Sequence, residues 1–525
     1  MNFSRLLTLL SVVIAGSAAS MVLHERRAAA PAGFVSVGAA PASEMITLRV
    51  ALTSNNVAGL QDQLLSMATP GSSNYRQWLS KPTHNHPPTL SRLSMLFASA
   101  NGLTPTVISP NGDWVSITLP ILKANTLFAA KFERFTHPAL NGPITRTLSV
   151  SLPSELVGHV DVIHPTTAFV SQDVRLVPGM RRLAGRDGPA SSCNSSDPAG
   201  VITPTCLQEL YGIPTTAATE TSNALLVTGY GDIWAQQADL SQFLSLLRPD
   251  ISPPTTFTLL TADNGTNPQG PSDAGIEANL DIQYTAGIAT SVPLEFLSVG
   301  GCDFPTALFD TTTFLDGVPN PPSVMTTSYG DTESNFGASV ATKICNGYMA
   351  LGARGISVIF ASGDGGVRGG HDTLDVCTNN TFMPVFPAAC PFVTSVGSTQ
   401  GFAPEKAINF TGGGFSNVFP APQYQTAAVA GFLETIPSDF PGMELPKWSL
   451  GARSFSKEAL KPVLGFLNPF LYSKASSAFA DVTIGHNSGF ECPASSVAFD
   501  AAVGWDALTG LGTPKFSDLL DAAFD

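Results

Sequence analysis

The sequence predicts an α/β protein in two parts, a small α+β unit followed by a larger, doubly wound parallel sheet. Three observations carry this. Between Ile46 and Leu152 the apolar residues switch repeatedly between the period of a strand and that of a helix. Beyond Cys206, apolar strand-like runs alternate with helical stretches. Between the two lies a polar, basic stretch with the composition of an exposed linker, Pro178 to Pro189, carrying Arg181, Arg182 and Arg186.

In the leading part, Ile46, Leu48, Val50 and Leu52 alternate as on a half-buried strand, and Val57, Leu60, Leu64 and Met67 follow at helical spacing. Pro70-Gly71 breaks that helix. A second helical pattern (Leu90, Leu93, Leu96, Phe97) ends near Asn101-Gly102, and Asn111-Gly112 marks a hairpin between Thr106–Ser109 and Asp113–Leu119. A helix is expected over Leu122–Phe132 and a last strand over Ile144–Leu152. Strand, helix, two strands, helix, strand is the order of the split βαβ, ferredoxin-like arrangement.

In the trailing part the runs are Ala224–Gly229, Gln236–Leu247, Phe257–Leu260, Ala274–Ile288, Leu294–Val299, Val324–Ser328, Ala338–Ala353 and Ile356–Ala361. Strands this apolar are buried on both faces, which calls for a parallel sheet with helices on each side. No internal repeat interrupts the series.

The chain has 525 residues, 43% apolar and only 13% charged, with a net charge of −14. That is enough for a sizeable core, and the absence of a basic cluster argues against nucleic acid or an anionic membrane as partner. Few charges, with acids in excess, suit a protein that works in acid. Arg5, the apolar run Leu6–Ala15 and the small residues Gly16-Ser17-Ala18-Ala19 have the order of a secretory signal peptide. No later apolar run approaches membrane-spanning length, so a secreted, soluble mature chain is expected. Seven cysteines suit an oxidising route. Cys193 with Cys206, and Cys377 with Cys390, are placed to close short loops, leaving Cys302, Cys345 and Cys492. Asn194, Asn264, Asn379 and Asn409 open glycosylation sequons.

Three elements have the makings of a site. Glu277 and Asp281, four residues apart on one helix face among Ile276, Leu280 and Ile282, would share a proton if buried and so furnish a base that works in acid. Asp364 stands in the glycine-rich turn Ala361-Ser362-Gly363-Asp364-Gly365-Gly366 at the end of an apolar strand, where open α/β sheets place their sites. Asp481-Val482 and Ala502-Val503-Gly504-Trp505-Asp506 offer carboxylates and backbone carbonyls, the hard oxygen donors that Ca²⁺ takes. None of the eight histidines stands in a recognisable triad motif and no His-Glu-x-x-His occurs, which disfavours a zinc peptidase.

Taken together with Pro70-Gly71-Ser72-Ser73-Asn74-Tyr75, Ile202-Thr203-Pro204-Thr205-Cys206-Leu207, Gly412-Gly413-Gly414-Phe415-Ser416-Asn417 and the run from Gly504 to Pro514, these motifs resemble the sedolisins, the serine-carboxyl peptidases, from about residue 45 to the C-terminus. The resemblance implies a signal peptide (1–19), an inhibitory prodomain (20–177), a processing linker (178–190, cut between Arg181 and Ser191) and a subtilisin-like peptidase domain (191–525). It implies a Ser-Glu-Asp triad in which Glu277 is the general base and Asp281 orients it, with Asp364 kept protonated to donate to the oxyanion. It also implies one structural Ca²⁺ held by the side chains of Asp481 and Asp506 and the carbonyls of Val482, Ala502 and Gly504. The expected partners are peptide or protein substrates and the chain's own prodomain, with the molecule a monomer.

One motif is missing. The family nucleophile lies in Gly-Thr-Ser-Ala-Ser, which this chain does not contain. It belongs between Asn417 and Gly465–Tyr472, an interval short by roughly forty residues against the family pattern and narrowed most near 435–462. Ser449, Ser454 and Ser456 lie there without the expected strand-to-helix context. Three readings stay open: a peptidase whose sequence here lacks a segment, a catalytically dead relative that binds or inhibits, or an enzyme with a relocated serine.

Overall fold

The structure is a computed structural model. It describes residues 20–80, 97–138, 140–170, 202–220, 222–252, 255–301, 303–374, 376–378, 381–402, 404–437, 440 and 463–524. The expected signal peptide, the linker, Cys193, Cys302, Asn194, Asn379 and the serines 449, 454 and 456 lie outside the described residues.

The leading domain opens with two strands that the sequence patterns did not reveal, β1 (Met21–Arg26) and β2 (Val35–Ala39). Then follow β3 (Met45–Leu52), α1 (Val57–Ala68), β4 (Thr106–Val107), β5 (Trp114–Pro120), α2 (Ile121–Leu127), β6 (Glu133–Thr136), β7 (Ile144–Arg146), β8 (Ser149–Pro153) and β9 (Val160–His164). The four-stranded sheet has the order β4-β5-β3-β9, which is the ferredoxin-like order. The Asn111-Gly112 hairpin is present, since β4 and β5 pair antiparallel. Two expectations need correction. The fourth strand is β9, not Ile144–Leu152, because that stretch breaks at Thr147, whose hydroxyl bonds Ser149 O, and its halves pair with β6 and β1 instead. The helix expected to reach Phe132 ends at Leu127, where Ala129 takes a positive φ of 43°.

The trailing domain contains α3 (Pro204–Tyr211), β10 (Leu225–Gly229), α4 (Gln237–Leu247), β11 (Phe257–Ala262), α5 (Ile276–Ile288), β12 (Leu294–Val299), α6 (Phe304–Gly317) and β13 (Val324–Thr327). After these come β14 (Asp331–Thr332), α7 (Glu333–Phe336), α8 (Ala338–Ala353), β15 (Ser357–Ala361), β16 (Val385–Phe386), β17 (Thr394–Val396), α9 (Thr426–Thr435), α10 (Asn468–Leu471) and α11 (Phe516–Phe524). Helix α6 escaped the sequence patterns. It is buried on most sides, Thr311, Thr312 and Asp316 included, so no single apolar face stands out.

The central sheet runs β11-β12-β10-β13-β15-β17, every neighbouring pair parallel. Consecutive residues face opposite sides, as a pleated strand requires. Leu226, Leu297, Met325 and Val358 join one core with α6 and α8, while Val227, Leu294 and Phe296 join another with α4 and α5. This is the doubly wound arrangement the sequence predicts.

The leading domain has its own core around Leu48, Ile117, Leu119 and Ile163. The opposite pleats (Ala51, Trp114, Val162) belong to the large core of the trailing domain, so its sheet lies on α6 and α8. Ion pairs cross that seam: Arg49 meets Asp310 at 2.5 Å and Asp263 at 3.4 Å, Arg146 meets Asp303 at 2.6 Å, and Lys343 meets Asp161 at 3.2 Å. Burial pushes the Asp310 carboxyl up to about 6 although Arg49 opposes the shift.

The cysteines pair across longer separations than expected. Cys345 joins Cys390 and Cys377 joins Cys492, so the short Cys377–Cys390 loop is not formed. Cys345 lies inside the buried face of α8 and meets Cys390 there, a proximity that sequence separation does not reveal. Cys206 is also disulfide-bonded.

Candidate active site

Helix α5 starts at Ile276 after the N-cap Gly275, which places Glu277 in its first turn and Asp281 one turn on. Glu277 is 1% exposed. Asp281 accepts from the Ser328 hydroxyl at 2.9 Å through Oδ1, while its Oδ2 is buried with no hydrogen-bond partner among the described residues. Burial pushes the Asp281 carboxyl well up, with the Ser328 hydrogen bond pulling against it. Tyr329, almost fully buried, has its hydroxyl pushed up first by burial and then by the negative field of Asp281 and Glu277. The two acids therefore stand together under a tyrosine, in surroundings that favour a shared proton.

Asp364 lies three residues past β15, and Ser328 one residue past β13, on adjacent strands in which Thr327 faces Phe360. Both stand on the C-terminal edge of the parallel sheet, the edge at which doubly wound folds build their sites. Asp364 is 8% exposed, and burial raises its carboxyl to about 7. It accepts no side-chain hydrogen bond among the described residues. The Gly412–Gly414 run backs this turn. Gly412 N–H donates to Gly363 O at 2.7 Å, and a Cβ on Gly412 would overlap Ser362 O, so only glycine fits.

Three neighbours were not singled out from the sequence: Ser328, Tyr329 and Glu333. Glu333, 1% exposed at the start of α7, accepts from Ser416 Oγ and from Asn417 N at 2.8 Å. Burial raises its carboxyl against those bonds. It thus ties the Gly412–Asn417 segment to the loop that begins at Ser328. The available signal was position, since Ser328-Tyr329-Gly330 follows an apolar parallel strand directly.

The five expected cation ligands gather in two facing loops. Asp481 Oδ2 accepts from Gly504 N at 2.7 Å, and Val482 O accepts from Thr509 Oγ1 at 3.5 Å. Asp506, fully buried, accepts from Ala502 N, Leu508 N, Thr509 N and the Thr509 hydroxyl. Ala502 is absent from the positive-φ positions, so a side chain there causes no strain, whereas Gly504 has φ 88°. Two carboxylates and backbone carbonyls in facing loops fit a hard divalent cation by donor chemistry. By contrast, Asp372, Cys377 and Cys492 also cluster, but the two sulfurs are joined to each other.

At its outer edge the central sheet ends on β17, where Ser395 and Val396 are exposed, Val396 by 52%. Ser449, Ser454 and Ser456 lie outside the described residues.

Buried acids on the C-terminal edge of a parallel sheet, in a chain whose leading domain packs on the same body, are the arrangement expected of a carboxyl-dependent peptidase precursor. Residues 32–169 match the family model of the pro-kumamolisin activation domain. The chain is 30% identical to the tripeptidyl-peptidase SED2 of Arthroderma otae over 591 residues, covering 97% of this chain and 98% of that one. It is 31% identical to the probable tripeptidyl-peptidase SED2 of Arthroderma benhamiae over 566 residues, 93% and 94% of the two chains. Among solved structures, Pseudomonas sedolisin, a serine-carboxyl proteinase complexed with pseudo-iodotyrostatin, matches at 20% identity and a TM-score of 0.42, over 60% of this chain and 96% of that one. The chain belongs to the sedolisin family of peptidases and is a precursor with an activation domain.

Proposed function

We propose that this protein is the precursor of a secreted acid peptidase that releases tripeptides from the N-termini of proteins. The observation that carries the acid mechanism is the burial of Glu277, Asp281 and Asp364 on one sheet edge, with the last two raised by burial. In the reaction a serine hydroxyl attacks the scissile carbonyl and its proton passes to Glu277, which Asp281 orients while Ser328 holds Asp281. Asp364, protonated, donates to the developing oxyanion; ionised, it would repel it. The proton on Glu277 then goes to the leaving amine, and water repeats the sequence to free the enzyme. The leading domain holds the enzyme silent until the linker is cut. The tripeptide product rests on the two fungal relatives.

The nucleophile belongs to a segment that this sequence lacks. The alignment with the Arthroderma otae relative spans 591 positions, whereas 97% of 525 residues is about 509, so roughly eighty positions have no counterpart in this chain. Sequencing the transcript across the codons for Thr435–Leu460 decides. A segment encoding Gly-Thr-Ser-Ala-Ser restores the enzyme, and purified protein should then cleave tripeptidyl substrates in acid. A transcript identical to this sequence, with no cleavage by pure protein, establishes the second reading, which the missing motif itself favours: an inactive relative that binds or inhibits.

The Asp481 and Asp506 loops are the place for Ca²⁺, with Asp481 and Asp506 binding by side chain and Val482, Ala502 and Gly504 by carbonyl. The cation would supply a cross-link between the loops and no chemistry. Added Ca²⁺ at a hundred times its dissociation constant should stabilise the chain by about 2.7 kcal/mol, and a chelator should remove that gain. An unfolding midpoint indifferent to both would exclude the site.

A further inference from the structure

The prodomain reaches the far side of the peptidase domain as well as α6 and α8. After α1 the chain turns at Pro70-Gly71 and presents Trp78 to the N-terminal edge of the central sheet, the edge opposite Asp364. The five residues of β15 that separate the two edges span ~17 Å. There the indole lies between two glycines from remote segments. A Cβ built on Gly355 would stand 2.8 Å from Trp78 Cδ1, and one on Gly465 would overlap Cζ2. Trp78 Nε1 donates to Val463 O at 2.8 Å, and Leu79 N donates to Ala353 O at 2.9 Å. Ser357 Oγ donates to Gly465 O at 2.6 Å, fixing one wall to the sheet. Arg76, which is buried, donates to Ala523 O in the last helix at 3.3 Å.

A slot whose two walls both lack a side chain where the ring sits, and whose rim accepts the indole N–H, is built for an aromatic ring. We propose that the Trp78 slot is the anchor of the prodomain on the peptidase domain, so that after the linker is cut this rear contact governs how long the prodomain stays bound. On the front seam the Arg49 pairs are partly exposed and contribute little once screened, while buried Arg146 and Lys343 and the apolar pleats hold that face. Trp78, half-buried between two glycine walls with its N–H satisfied, concentrates its contacts at one place. A cavity of about 250 Å³ adjoins the slot, bordered by Leu79, Pro322, Arg354 and Val463. On release, slot and cavity open together as a groove on the mature domain that accepts an aromatic residue followed by an aliphatic one, the Trp78-Leu79 pair of its own prodomain. Being a binding property, this holds whether or not the chain carries a nucleophile.

The test uses the full chain with a specific protease site in place of residues 181–186. After cutting, release of the prodomain is followed by native mass spectrometry and size-exclusion chromatography. W78A should release it about a hundredfold faster than the unsubstituted chain. R49A, which removes the Arg49 pairs of the front seam, should change release by less than about tenfold. W78A within about threefold of the unsubstituted chain, or R49A having the larger effect, overturns the proposal. W78F, which keeps a smaller ring and loses the bond to Val463, covers the case in which W78A does not fold. Release about tenfold faster supports the anchor, and unchanged release overturns it.

Discussion

Two sets of buried acids in the peptidase domain differ in one respect, the number of hydrogen-bond donors around them. Asp281 accepts from a single hydroxyl and Asp364 from no side chain among the described residues, and both carboxyls are pushed up by burial. Asp506 and Asp372 are as deeply buried but accept several backbone N–H groups each: Ala502, Leu508 and Thr509 for the first, Phe490, Glu491 and Cys492 for the second. Burial penalises the charged form, and with so few donors opposing it the Asp281 and Asp364 carboxyls are pushed up. The donor-rich acids tie loops together.

The largest effect that sharpens this contrast is expected at Glu277. If the full-length protein cleaves peptides, Glu277→Gln should lower kcat by at least about a thousandfold while leaving the fold intact, as removal of a triad base does. Activity retained after that change would break the assignment. Next comes Asp506→Ala, which leaves several buried N–H groups unpaired and should cost about 3–5 kcal/mol in urea unfolding. A loss below about 1 kcal/mol would show that the loop does not depend on the carboxylate.

Asp364 tests the donor-poor set through pH. Its folded value, about 7, lies above the ordinary 3.8, so the folded chain takes up the proton first. The stability it adds is complete below about pH 4 and is lost as the pH climbs through 7. Asp364→Asn should therefore flatten that part of the stability profile by roughly 2–4 kcal/mol between pH 4 and 7. An unchanged profile would mean that Asp364 does not hold its proton. The smallest effect belongs to Ser328→Ala. Loss of one donor should push the Asp281 carboxyl further up, by an amount worth about 1 kcal/mol, readable as a shift in its carboxyl stretch with pH.

Much of this site was legible beforehand. Glu277 and Asp281 share a helix face at a spacing of four residues, and Asp364 ends an apolar strand in a glycine-rich turn. Both are local patterns, and the structure places them on one edge. Ser328, Tyr329 and Glu333 were not found. A serine, a tyrosine and an acid after a strand mean nothing until the strand is known to neighbour β15 and α5. Cys377 was matched with the wrong partner for the same reason. Pairing follows distance in space, and Cys492 is 115 residues away in sequence. In the leading domain, Ile144–Leu152 reads as the fourth strand because β1 and β2, which pair with or beside its two halves, carry too little alternation to show as strands.

What the sequence by itself determined is the fold class and the local elements of the site: the two parts, the parallel sheet, the dyad helix and the Asp364 turn. These depend on periodicity and turn chemistry within a dozen residues. What only the tertiary structure decided is which buried acids lack donors, which loops meet over Asp506, and that Trp78 lies between Gly355 and Gly465. Each of these depends on desolvation or contact between segments far apart in the chain, and both come into being only when the chain packs.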